Sequence, residues 1–127
     1  MPENAVHSVL LFVLLLQAKH FVCDGPLQTK DMVHDKGIYG QPLGLLHAGL
    51  HGTGTLVVSL AFGLDVRTAI ALGAVDALIH YHIDFAKERL VRSQGWSFNN
   101  AQFWWAIVGD QFLHNVTYIA MAAYVFG

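Results

Sequence analysis

A chain of 127 residues holds one domain, and a formal charge of −2 at pH 7 leaves no basic face for a nucleic-acid backbone. Hydrophobic residues make up 54% and charged residues 13%, against the roughly 25% charged usual in soluble domains, so composition points to a membrane. Cys23 is the single cysteine, which excludes an intrachain disulfide and leaves the redox compartment open.

The first oily run, Ala5 to Val22, is long enough to cross about 30 Å of hydrocarbon at 1.5 Å per residue. It carries neither a basic leader nor a small-residue cleavage site, and reads as a retained membrane helix. Gly25-Pro26 is expected to kink it, because proline removes a hydrogen bond and crowds the preceding turn. The spacing of His20, Asp24 and Gln28 predicts that the helix resumes beyond the kink and runs into 30–36. Gly37 and Gly40 end it, and Pro42 suits the first position of a second helix whose oily run is Leu43 to Leu64. Within that run Gly44, Gly49, Gly52 and Gly54 leave room for close helix contact. A short link at Gly63 to Asp65 sends the third helix back antiparallel, from about Arg67 to Val91, its last turns (KERLVR) charged. The stretch SQGWSFNN offers turn residues and N-caps before a fourth helix, Ala101 to Phe126, with aromatic residues near both ends as interface anchors. The expectation is an all-α, integral-membrane four-helix up-down bundle, a single domain over 1–127.

Lys30, Lys36, Lys87, Arg89 and Arg92 fall on the side of the two longer connections, and Arg67 alone on the other. The positive-inside rule then predicts an integral-membrane protein with both termini outside and the longer connections in the cytoplasm.

The stretch DALIHYHID carries the chemistry. Asp76, His80 and Asp84 are each four apart and form one polar stripe on an otherwise oily helix. Three ionisable groups on such a face are expensive unless they meet partners. Partners with the same spacing are His20 with Asp24, His47 with His51, and Asp110 with His114. In an up-down bundle all these stretches lie in the cytoplasmic half. An H-x-x-x-D helix followed by an [HD]-x-x-x-H helix occurs in each half of the chain, so two pseudo-repeated hairpins would supply a near-symmetric pair of metal positions.

Eight ligands, His20, Asp24, His47, His51, His80, Asp84, Asp110 and His114, are too many for one tetrahedral zinc and suit two divalent ions, zinc first and iron second. Gln28 and Asp76 extend the stripes as groups that orient histidines, and Asp76 could instead be a ninth ligand. Lys87 either snorkels to the interface or touches substrate. His7, His34 and His82 lie off the pattern and are read as ordinary polar residues. The blander reading of the whole set is a metal-free polar core or a proton relay.

HFVCDGPLQTKDM, LHAGLH, HYHIDFAK and GDQFLH, in this order, resemble a family of small bacterial and phage integral-membrane proteins of unknown function. The resemblance spans nearly the whole chain. It implicates His20, Asp24, Gln28, His47, His51, His80, Asp84, Lys87, Asp110, Gln111 and His114, and it implies no activity.

The first expectation for function is a dinuclear metal-dependent hydrolase acting on a membrane lipid or another amphipathic substrate, with Asp76 or Asp110 as proton acceptor. The alternatives are a di-iron membrane oxidase, a metal transporter, and a non-enzymatic metal-binding subunit of a homo-oligomer or larger membrane complex. Eight strong ligands speak against the fast release a transporter needs.

Overall fold

The computed structural model describes residues 3–127, and all the secondary structure among them is helical. Five helices follow in order: α1 (Glu3–Asp24), α2 (Lys30–Lys36), α3 (Pro42–Ala61), α4 (Val66–Gln94) and α5 (Ala101–Phe126). The expected count of four is corrected to five. The first helix does not resume after a kink; it ends at Asp24. A turn follows, with the Gly25 and Leu27 amides donating to the Phe21 and Val22 carbonyls at 2.8 and 3.1 Å. Thr29 then opens α2 as a separate helix, its side chain accepting from the Met32 amide.

The other boundaries have local causes. Pro42 stands in the first turn of α3, where its missing N–H costs nothing. Asp65 caps α4 by accepting from the Thr68 amide at 3.1 Å and the Thr68 hydroxyl at 2.6 Å. Those bonds, the hydroxyl's first, hold the Asp65 carboxyl below the ordinary aspartate range. Gly95 ends α4 in the left-handed region at φ 66°, which glycine adopts without a Cβ clash.

The four long helices form a closed ring in which α1 and α4 each touch both α3 and α5, and α2 packs on α3 and α4. The closest approach is between α3 and α4, where Gly52 faces Gly73. A Cβ added at Gly52 would lie 2.6 Å from the Gly73 carbonyl oxygen, and one at Gly73 would lie 2.7 Å from that of Gly52. Gly44 gives similar room to α2, and Gly54 leaves space for the stem of Lys19, while nothing lies within 4 Å of a Cβ placed at Gly49.

Burial is inverted relative to a soluble domain. Phe21, Leu14, Leu78, Phe112 and Val108 are all exposed, whereas His51 and His80 are 0% exposed. Three helices, α1, α3 and α4, are long and apolar enough to cross a membrane. α5 matches them in length, but Asp110, Gln111, His114 and Asn115 dilute its hydropathy.

The interior divides along the bundle axis. At the end holding both termini, Phe12, Leu16, Leu72, Tyr118, Met121 and Ala122 form an apolar core. Phe12, Phe62 and Phe126 close it as an edge-to-face collar, with ring centroids 5.3, 5.7 and 5.9 Å apart. The other half is filled with histidine, aspartate and lysine.

Candidate metal centre

Each long helix contributes two side chains one turn apart, so each presents both toward the interior. His20 and Asp24 end α1, His47 and His51 open α3, His80 stands at the middle of α4 with Asp84 one turn beyond, and Asp110 and His114 lie near the middle of α5. All are buried except Asp24, whose side chain is 20% exposed.

Two aspartates act as nodes. Asp24 Oδ1 is 2.8 Å from His51 Nε2, 3.1 Å from His47 Nε2 and 4.0 Å from His80 Nε2. Asp84 Oδ1 is 3.1 Å from His114 Nε2, and its Oδ2 is 3.2 Å from His80 Nε2 and 3.5 Å from His47 Nε2. Donor atoms of Asp24, His47, His51 and His80 lie within 4.8 Å of one another, as do those of His80, Asp84 and His114. Each group could hold a metal ion, and His80 belongs to both. Its ring is stacked between those of His51 and His114, with centroids 3.5 and 3.9 Å away.

Several of these buried atoms have no hydrogen-bond partner: both ring nitrogens of His47 and of His80, Asp84 Oδ2 and Asp110 Oδ1. A histidine nitrogen and a carboxylate oxygen can stand 3.1–3.5 Å apart without a hydrogen-bonding angle when both are aimed at a common point. Two ligands bonded at about 2.1 Å to one ion are separated by about 3.0–3.4 Å. The donor set, imidazole with carboxylate, suits first-row divalent ions.

The two remaining expected ligands are placed beside these groups. His20 Nε2 is 2.9 Å from Asp24 Oδ2 and 2.8 Å from Gln111 Oε1, and its Nδ1 takes the Tyr118 hydroxyl at 2.8 Å. Asp110 Oδ1 is 2.8 Å from His114 Nε2. Both positions can orient an inner ligand. Gln28 is not on a continuing α1 stripe: its amide donates to the Asp24 carbonyl at 3.0 Å, and it accepts from Lys36. Lys87 lies 2.7 Å from Glu88 and 3.5 Å from Asp110 Oδ2, folded along the bundle. Asp76 touches no histidine. Its Oδ2 accepts from Lys19 at 2.8 Å and from Thr55 at 2.5 Å. His82 points the other way, to the Tyr39 hydroxyl at 3.0 Å, and His34 and His7 are exposed.

Three groups escaped the sequence reading. Lys19 sits inside the ring, donating to Asp76 and, at 2.9 Å, to Tyr118, with its Nζ 3.3 Å from His51 Nδ1. Lys36 reaches from α2 to Asp84 Oδ2 at 3.0 Å. Tyr118 links Lys19 to His20. Tyr118 could have been found, since it is four beyond His114 on the same stripe. A lone lysine in the oily run LLLQAKHF was the available signal for Lys19.

Helices of membrane-crossing length around buried histidine–aspartate groups able to hold a metal ion define the class of the protein. The chain belongs to the family described as "protein of unknown function (DUF3307)", whose profile matches residues 10–127. No curated protein and no solved structure matches it.

Proposed function

We propose that the protein is a membrane-embedded dinuclear metal protein, and that it hydrolyses a lipid or another amphipathic substrate. The carrying observation is the pair of buried imidazoles that make no hydrogen bond, His47 and His80, converging beside the two aspartate nodes. The two halves of the chain support a count of two. Asp24 with His20 and His51 in the first half corresponds to Asp84 with His80 and His114 in the second, and the contacts match at 2.9 and 2.8 Å against 3.2 and 3.1 Å.

Two divalent ions at such a site polarise a scissile group and lower the pKa of a water molecule. Around them, Asp110 suits the proton acceptor better than Asp76, because Asp76 already accepts from both Lys19 and Thr55. Lys36 and Lys87 flank the centre as fixed cations able to hold developing negative charge. A transporter needs a route through the bundle. The polar interior ends instead at Ser59 and the Phe12–Phe62–Phe126 collar, which favours a resident ion.

Elemental analysis of the purified protein tests the proposal, with about two zinc ions per chain expected. Iron in their place would transfer the reading to an oxidase, one ion would leave half of these groups as orienting residues, and an empty protein would end both enzyme readings.

The four long helices are proposed to span the bilayer with the termini outside and α2 in the cytoplasm. Cysteines introduced at Gly40 and Gln94 are then labelled by an impermeant maleimide only from the cytoplasmic side, and one at Gly127 only from outside. The native Cys23 is buried and stays silent. Opposite labelling reverses the orientation.

A further inference from the structure

The seam between α4 and α5 is open to the surface. A groove of about 660 Å³ runs along it, walled by Leu78, Ile83, Leu90, Ala106 and Leu113. Its length from Leu78 to Leu90 is roughly 18 Å at 1.5 Å per residue, about that of an extended fatty-acyl chain. The wall is mostly apolar: His82 borders it beside Leu78, and its carboxylate and ammonium, Asp110 and Lys87, meet the groove where it approaches the metal centre. A second cleft on the same seam, lined by Leu72, Val75, Val116 and Met121, begins at the shared Ile79 and has only the hydroxyls of Thr117 and Tyr124 as polar side-chain groups. The carboxylate and ammonium of the seam therefore lie together near Lys87, and neither group occurs toward Met121.

The charges of the centre say what fits the polar end. Asp24, Asp76, Asp84, Asp110 and Glu88 face Lys19, Lys36, Lys87 and Arg92. With the histidines neutral, this leaves one uncompensated negative charge. Two divalent ions would turn it into an excess of three positive charges. In a low-dielectric interior that excess calls for an anion.

We infer that the α4–α5 seam binds an anionic glycerophospholipid laterally from the bilayer, one acyl chain lying between Leu78 and Leu113 and the phosphate group beside Lys87. The inference rests on the lipid-hydrolase reading and names its substrate class. Gly109 lines the groove, and nothing stands within 4 Å of a Cβ placed there, so the backbone accepts a side chain that fills the space.

The test uses the full chain in nanodiscs containing phosphatidic acid with a diazirine-bearing acyl chain, followed by peptide mapping of the photoproducts. Crosslinks are expected to concentrate on 78–90 and 106–113, above the level on the exposed Leu10, Leu11 and Leu14 face of α1. Gly109→Phe is expected to reduce the groove crosslinks about tenfold, because its ring occupies the volume of the chain. Lys87→Met keeps the groove open but is expected to lower the preference for phosphatidic acid over phosphatidylcholine about fivefold, the scale of one cation near an anionic lipid. Labelling spread evenly over the lipid-facing helices, or unchanged in both variants, overturns the inference and leaves ordinary boundary lipid. Metal content is measured on the same samples. Groove labelling on a metal-free protein upholds the lipid site while the hydrolase reading fails.

Discussion

Replacing His80 with alanine is expected to strip the protein of nearly all its metal, because His80 is common to both donor groups. The loss of affinity should exceed the roughly 10–100-fold that removal of an orienting group produces. Asp84→Ala should cost occupancy about as much as His114→Ala, whose ring lies 3.1 Å away, and the double variant should lose little more. His82→Ala is the internal control. That side chain is two residues from His80, yet it reaches Tyr39 on the outer face and should leave metal content unchanged. Metal lost on changing His82 and retained on changing His80 would contradict the register of α4 and end the dinuclear reading.

The second large effect concerns the Lys19–Asp76 pair, both side chains being almost fully buried and 2.8 Å apart. Asp76→Ala leaves the Lys19 ammonium without its carboxylate, and breaking a buried pair by removing one partner costs about 3–5 kcal/mol. Adding Lys19→Met to Asp76→Ala should recover most of that loss, since a methionine of similar length fills the space beside Gly54 without a charge. Equilibrium unfolding in detergent mixtures, on metal-stripped protein, separates this effect from loss of the metal. Equal stability of Asp76→Ala and the parent would show that the ammonium finds another partner.

What the sequence revealed depended on the range of each interaction. The pairs His20/Asp24, His47/His51, His80/Asp84 and Asp110/His114 were visible because spacing of four is a property of a single helix. Their meeting in one half of the ring followed from short connections and oily lengths. The end of α1 is not legible from spacing alone, because Gly25-Pro26 suits a bend in a continuing helix as well as a stop, and it is Thr29, a capping residue, that marks the new start. Lys19 and Lys36 were missed for a different reason. Their partners, Asp76 and Asp84, lie 57 and 48 residues further along the chain, and no local periodicity joins them.

The apolar half of the interior has a consequence for the membrane as an insulator. A column of carboxylates, imidazoles and amines reaching from face to face of a bilayer would be a wire for protons and would short-circuit the gradient across it. In this protein the column stops at Ser59, and Phe12, Phe62 and Phe126 fill the remaining length with rings that carry no exchangeable proton. With the helices spanning a bilayer as proposed, so polar an interior would sit in the membrane without opening a path for protons across it.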